Sequence, residues 1–176
     1  MISGHLQGRV LSMLMKMIRP EFILEIGTYT GYSALCLAEG LSDTGKLVTI
    51  DKNEELKDRV NGYFQGSPYK EQIDFHLGNA MEIVPELEYP WDVVFLDADK
   101  CNYLNYYNLL IDQLKPGGYI LADNVLWSGK VLDDTNMDED TVALRKFNEA
   151  VQNDPRVENV LFPLRDGIMI VRKCTQ

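Results

Sequence analysis

Cysteine, histidine and positive charge are all scarce in this chain of 176 residues, and each shortage removes a class of function. The three cysteines, Cys36, Cys101 and Cys174, are odd in number, far apart and never spaced C-x-x-C. That excludes a disulfide framework and a thiolate metal site and leaves buried or idle free thiols. The two histidines, His5 and His76, have no metal-ligand spacing. Lys and Arg total 17 against 27 Asp and Glu, a net charge of −10, so neutralising the phosphates of nucleic acid or anionic lipid is not the main task. An acidic chain of this kind favours small or cationic partners. No apolar run, Trp91 to Leu96 included, nears the roughly 20 residues that span a bilayer. The first residues also lack the charged-then-apolar pattern of a signal peptide, which predicts a soluble, cytoplasmic protein with no membrane partner.

What is present is an ordinary globular composition, 45% apolar and 25% charged. A chain of this length buries about 70% of its unfolded surface without staples, and the expectation is one domain over 1–176. From Phe22 onward, short apolar runs alternate with helical periodicity, the pattern of an α/β domain with a mostly parallel sheet. Strands are predicted at Phe22–Ile26, Lys46–Ile50, Ile73–Leu77, Trp91–Leu96 and Tyr119–Ala122. Helical stripes lie between them: Leu56, Val60, Tyr63 and Phe64; then Tyr103, Tyr107, Leu110 and Leu114, stopped by Lys115-Pro116-Gly117-Gly118; and later Leu144, Phe147 and Val151. Val157–Phe162 and Ile168–Arg172, joined through Asp166-Gly167, read as a terminal antiparallel hairpin. An N-terminal helix carries Leu6, Val10, Leu14 and Met17 as its apolar stripe and ends at Pro20. The stretch from Asn124 to Met137 lacks a period and reads as a functional loop. Its five acids between Asp133 and Asp140 read as a solvated helix start.

Two features carry chemistry. The first is Gly27 and Gly31, four apart, between the first strand and the helix that follows. In an open parallel sheet this turn is where a nucleotide-like ligand meets backbone N–H groups. The spacing is not G-x-G-x-x-G, which disfavours a pyrophosphate-bearing dinucleotide and suits a cofactor with a methionine tail. Asp51, 51 − 27 = 24 residues after Gly27, ends the second strand, where a carboxylate accepts both hydroxyls of an unphosphorylated ribose. S-adenosylmethionine and NAD both carry such a ribose. The alternative is that the glycines serve helix packing and Asp51 caps the helix near Asn53.

The second feature is at the ends of the fourth and fifth strands, where Asp97, Asp123 and Asn124 are predicted to converge outside the carboxyl edge of the sheet. Two carboxylates and an amide oxygen, with no His or Cys nearby, favour Mg²⁺, Ca²⁺ or Mn²⁺ over Zn²⁺ or Cu²⁺. The alternative reading makes the two acids helix or turn caps. Lys100 is by default a surface lysine, but beside a divalent cation its pKa falls and it becomes a usable general base.

With "LEIGTYTGYSA", "VTIDKN", "GNAMEIVP", "WDVVFLDADKCNY", "GGYILADNVLW" and "LRDGIMIVRK", the sequence resembles the cation-dependent, S-adenosylmethionine-dependent O-methyltransferases, the group of catechol and caffeoyl-CoA O-methyltransferases and small bacterial members. The resemblance covers nearly the whole chain. It implies a Rossmann-like fold with a seven-stranded sheet, an antiparallel last strand and helices on both faces. It places Glu25, Tyr29 and Ser33, with the Gly27–Gly31 turn, at the amino-acid end of S-adenosylmethionine, Asp51 at its ribose and Asn79-Ala80 at its adenine edge. It puts Asp97, Asp123 and Asn124 on the metal, counts Asp97 among the cofactor-binding and catalytic residues, makes Lys100 the base and stands Trp127 beside the substrate ring. It also implies a homodimer. Relatives usually carry further helices before the segment matching Ile2–Gly8, so a chain starting at Met1-Ile2-Ser3 is expected to lack those cap helices. Cys101 replaces an acid common after the lysine.

The implied reaction moves a methyl group from a sulfonium to an oxygen of a catechol-like or hydroxycinnamoyl small molecule, with the metal, Mg²⁺ foremost, chelating neighbouring acceptor oxygens. Three other readings stand beside it. A hydroxylated tRNA base as acceptor is opposed by the net charge, a dinucleotide-dependent oxidoreductase is opposed by the glycine spacing, and the third is a non-catalytic cofactor-binding module.

Overall fold

Every strand expected from the sequence forms, and three, the second, the fifth and the last, run longer than expected. The computed structural model describes residues 4–175. Met1, Ile2, Ser3 and Gln176 lie outside the described residues, and the chain start on which the expected loss of cap helices rests lies with them. The backbone divides into two compact units, one ending at Asp92 and one starting at Val93.

The first unit runs α1 (His5–Ile18), β1 (Phe22–Ile26), α2 (Tyr32–Ala38), β2 (Lys46–Asp51), α3 (Lys57–Gln65), β3 (Ile73–Leu77) and the single turn α4 (Ala80–Ile83). Strands β1 and β2 pair in parallel, Phe22 opposite Lys46 through Ile26 opposite Ile50, and β2 pairs in parallel with β3. The interiors of β1 and β2 are buried almost without break, as expected for strands covered on both faces. The second unit contains the end of β4 (Trp91–Leu96), α5 (Tyr103–Leu110), β5 (Leu114–Asp123), α6 (Glu139–Asn153), β6 (Val157–Phe162) and β7 (Ile168–Lys173). Strand β7 is antiparallel to both β5 and β6, which is the predicted hairpin. The seven strands form one mixed sheet in the order β3-β2-β1-β4-β5-β7-β6. This is the Rossmann-like arrangement that the resemblance implies.

Two local expectations fail. Lys115-Pro116-Gly117-Gly118 does not stop α5, which already ends at Leu110; it lies inside β5, and Leu114 is a buried strand residue. The register with β7 runs from Tyr119 to Asp123, so the Pro-Gly-Gly stretch lies ahead of the residues paired on that side. The N-terminal stripe is also misplaced. Leu6 and Met17 are 62% and 74% exposed, and the buried face of α1 is Gln7, Gly8, Leu11, Ser12 and Met15.

The physical reason is the partner, α2. A Cβ on Gly8 would stand 2.6 Å from the Tyr32 ring and 2.9 Å from Cys36 Sγ, so this close approach needs glycine. One helical turn further on, Glu39 accepts hydrogen bonds from Arg9 (2.5 Å), Ser12 (2.7 Å) and Lys16 (3.0 Å) of α1. Shape and charge therefore choose the face, and apolar count does not.

Glu39 sits at the C-terminal end of α2, where a negative charge is unfavourable to the helix dipole, and the three donors overcome this. The Arg9 guanidinium above all holds the Glu39 carboxyl down at about 2, against an ordinary 4.5. Because the folded pKa is depressed, its stabilisation is present above about pH 4.5 and is lost as pH falls towards 2. Both cations are nearly half exposed, so solvent screening reduces the contribution to about 1 kcal/mol. Glu39→Gln is expected to lower the unfolding free energy at pH 7 by that amount and to have a clearly smaller effect at pH 2, read by urea titration at the two pH values.

Candidate active site

In the first unit, the chain leaving β1 makes a tight turn whose backbone demands explain its residues. Gly27 (φ 102°), Tyr29 (φ 47°) and Gly31 (φ 78°) are all in the left-handed region. At Gly31 a side chain would be strained by φ and would meet the Phe64 ring at 2.7 Å, so glycine is required there twice over. Gly27 N–H donates to Ile50 O (2.9 Å) and Gly31 N–H to Thr28 O (2.8 Å), which fixes the turn against β2. Asp51 holds it as well: one carboxylate oxygen accepts from Tyr29 N–H (2.6 Å) and the other from Asn53 N–H (2.8 Å). A carboxylate accepts about four hydrogen bonds, so acceptor capacity remains on both oxygens.

Beneath the turn, Glu25 is fully buried and accepts from Thr49 Oγ1 (2.5 Å), which is itself 2.6 Å from Thr28 Oγ1. Ser33 is buried on α2. Gly78 N–H donates to Asp51 O (2.8 Å), which ties the following Asn79-Ala80 to the same strand end. Asn79 caps α4 through Met81 N–H (3.1 Å) and donates to Glu82 (3.1 Å), while Ala80 is buried. The first-strand turn, the Asp51 carboxylate and the chain leading into Asn79-Ala80 are thus all tied to the carboxyl end of β2.

In the second unit, Asp97 follows β4, and Lys100 opens a short 3₁₀ turn, Lys100–Asn102, that leads into α5. Lys100 is 6% exposed. Its Nζ donates to Asp97 Oδ1 (3.3 Å) and to the Tyr103 hydroxyl (2.5 Å), and it stands 4.5 Å from the Tyr103 ring centre and 5.9 Å from that of Trp127. Burial pushes the ammonium pKa below its ordinary value, while the charges of Asp97 and Asp123 act the other way. Tyr103, read from the sequence as packing, has a polar role too: its hydroxyl lies 3.0 Å from Leu96 O and 2.9 Å from Asp123 O. Burial keeps this phenol protonated. Asp123 ends β5 and is 2% exposed, accepting from Asn124 N–H (2.8 Å). Asn124 is buried in the left-handed region (φ 61°), which Asn tolerates better than most residues.

Among the described residues, no three His, Cys, Asp or Glu side chains gather as a metal-binding group. A cation here would rest on two carboxylates, one amide oxygen and water. That hard-oxygen, water-rich set fits Mg²⁺, which keeps several waters, better than a metal needing a full protein cage.

The loop expected to be functional is held from behind. Trp127 and Ser128 (φ 49° and 55°) and Gly129 (φ 79°) turn it sharply. Leu126 N–H donates to Asp166 O (3.0 Å) and Ser128 N–H to Asp166 Oδ1 (2.6 Å), so the β6–β7 turn supports it. From α6, Arg145 donates to the carbonyls of Val131 (3.1 Å), Asn136 (2.9 Å), Lys130 (3.2 Å) and Asp133, and Asn148 donates to Val125 O (3.0 Å). Asp138 caps α6 through Thr141 N–H (3.0 Å), so the acid-rich run is the helix start that the sequence indicated. Arg145 was not singled out by the sequence, and Asp166 was read only as a hairpin turn residue. Tyr103 had a signal: Asp97, Lys100 and Tyr103 are spaced three apart, one face of a helical turn.

Comparison with known proteins identifies the family. A profile of the O-methyltransferase family matches residues 1–174. Caffeoyl-CoA O-methyltransferase 1 of Eucalyptus globulus is 38% identical over 178 residues, covering 95% of this chain and 72% of that protein. Among solved structures, an O-methyltransferase from Bacillus cereus in complex with SAH superposes with a TM-score of 0.92 at 29% identity, over 98% of this chain and 82% of the other. An O-methyltransferase of tomaymycin synthesis from Streptomyces achromogenes, in complex with SAM, does so with a TM-score of 0.91 at 27% identity, over 99% and 82%.

Proposed function

This chain belongs to the O-methyltransferase family and is an S-adenosylmethionine-dependent transferase, and from that premise we propose that it methylates a hydroxyl of a catechol-like or hydroxycinnamoyl small molecule with the help of a divalent cation. In this reading Asp97, Asp123 and Asn124 hold the cation, Lys100 is the base, Asp97 also borders the cofactor, and Trp127 lies along the acceptor ring. Glu25, Gly27, Tyr29, Gly31, Ser33, Asp51, Asn79 and Ala80 bind the cofactor. The observation that carries it is the buried Lys100 ammonium 3.3 Å from Asp97, with Asp123 and Asn124 at the next strand end.

When bound, the cofactor would supply an activated methyl on a sulfonium, and a hard cation held by Asp97, Asp123 and Asn124 would supply Lewis acidity. The chain's own part is positioning and proton transfer. A free phenol has a pKa of about 10 and is poorly ionised at neutral pH. A lysine whose pKa is lowered by burial is a competent acceptor for its proton, taken at Nζ. Asp51 fixes the ribose through the lone pairs that Tyr29 and Asn53 leave open. Trp127 offers a large flat contact for an aromatic acceptor.

Purified protein with S-adenosylmethionine and Mg²⁺ is expected to methylate caffeoyl-CoA or catechol, to lose the activity in EDTA and to recover it when Mg²⁺ is restored. Full turnover in EDTA would remove the cation from the reading. Binding of S-adenosylhomocysteine without turnover of either acceptor would remove the acceptor class.

A further inference from the structure

Three groups meet at one phenolic oxygen. The Tyr103 hydroxyl lies within 3.0 Å of the carbonyls of Leu96 and Asp123, and Lys100 Nζ approaches it at 2.5 Å. Leu96 is the residue before Asp97, and Asp123 is the residue before Asn124, so this oxygen touches the backbone at the ends of both strands that carry the oxygen donors. A hydroxyl has one proton to give and two lone pairs to receive with. The proton goes to one of the two carbonyls, neither of which can donate, and a lone pair faces the lysine N–H. The hydroxyl is therefore committed on both sides, and Tyr103 is completely buried with its ring packed edge-on against Phe147 at 5.4 Å. A lysine side chain has four rotatable bonds and a strong preference for water. Lys100 gives up both, and its hydrogen bond to Asp97 at 3.3 Å is a long one for a charged pair. The shortest contact of its ammonium in this set is the tyrosine oxygen.

We propose that Tyr103 is the positioning residue of the proton-transfer step: its hydroxyl, braced by the Leu96 and Asp123 carbonyls, holds Lys100 Nζ at the ends of β4 and β5 where the acceptor's proton must be received. The inference rests on the reading of Lys100 as the base. Tyr103 touches no reacting atom and acts through the lysine alone. Its ring keeps Nζ nearby through the cation–π contact, and its hydroxyl sets the point at which Nζ stops.

The test is a double-mutant cycle on Tyr103→Phe and Lys100→Met, read as kcat and KM for caffeoyl-CoA or catechol, with S-adenosylhomocysteine affinity measured on each variant. Phenylalanine keeps the ring and removes only the oxygen. Tyr103→Phe is expected to lower kcat by about 10- to 30-fold with KM changed less than about twofold, since misplacing a reacting group costs rate before it costs binding. In the Lys100→Met background the same substitution is expected to change kcat by less than about twofold, because the group it positions is gone. An equal loss in both backgrounds would overturn the proposal, since the hydroxyl would then act on something other than Lys100. A Tyr103→Phe protein that fails to fold would overturn it too, by making the hydroxyl a requirement of the fold. If Lys100→Met itself keeps full kcat, it is the assignment of the base that fails, and the Tyr103 inference falls with it in a recognisably different way.

Discussion

Asp97→Ala is expected to reduce methyl transfer by about a thousandfold while S-adenosylhomocysteine affinity changes by less than about tenfold. The first number follows from the proposed double duty of this side chain. As one of two carboxylate donors its loss leaves the cation with one acid and an amide, and Lewis-acid stabilisation of a developing phenolate contributes several kcal/mol. As the hydrogen-bond acceptor of Lys100 Nζ at 3.3 Å it also helps to place the base. Together about 4 kcal/mol is at stake, which corresponds to three powers of ten in rate. The second number follows because the ribose and amino-acid contacts are assigned to residues of the first unit. Folding stability falls as well, since a lysine only 6% exposed loses a partner; the remaining charge of Asp123 and the Tyr103 hydroxyl limit this to about 1–3 kcal/mol. Rates with saturating Mg²⁺ and calorimetric titration of the product cofactor separate the two effects. Unimpaired turnover in Asp97→Ala would refute the metal assignment and the base geometry together.

Asp51→Ala is expected to weaken S-adenosylhomocysteine binding by about 100- to 1000-fold and to leave acceptor affinity unchanged at saturating cofactor. Two charge-assisted hydrogen bonds to ribose hydroxyls are worth about 3–4 kcal/mol together, which is that range in dissociation constant. The alanine also releases Tyr29 N–H (2.6 Å) and Asn53 N–H (2.8 Å) from their shared acceptor, so the turn around Gly27 and Gly31 keeps its Gly27–Ile50 backbone bond to β2 but loses the side-chain one. Asp51→Asn keeps one acceptor oxygen but turns the other into a donor, and is expected to fall between the two. An unchanged dissociation constant in Asp51→Ala would mean that the carboxylate serves the turn alone.

The strands and the acids at their ends were legible because one physical fact writes both. A strand buried on two faces must be an apolar run, and the first charged residue after it marks the edge of the sheet. Val93-Val94-Phe95-Leu96 before Asp97, and Ile120-Leu121-Ala122 before Asp123, are such runs. The glycine turn was legible because left-handed backbone at Gly27 and Gly31 leaves a residue-type signature. The buried face of α1 was not legible. Leu6 and Met17 carry the hydrophobic signal, yet the partner helix demands a glycine at position 8 and hydrogen-bond donors at 9, 12 and 16. Neither were the contacts of Arg145 and Asp166, because main-chain carbonyls and N–H groups are the same in every residue and leave no mark on the sequence that binds them. Tyr103 fell between these cases: its ring reads correctly as core, and the use of its hydroxyl appears only once the ends of β4 and β5 are placed.

The arginine on α6 has a consequence for how such a protein changes over evolutionary time. Arg145 grips the loop after β5 by its carbonyl oxygens, at Lys130, Val131, Asp133 and Asn136, and a guanidinium that recognises carbonyls is blind to the side chains they belong to. The shape of the loop is thereby uncoupled from its spelling. Leu132, 81% exposed, can be rewritten without the loop having to be rebuilt, whereas Lys130 is also tied to Asp138 (3.6 Å) at the start of α6. A lineage, or an engineer with a small library, can vary side chains along this stretch one at a time while the same four carbonyls keep their place on Arg145.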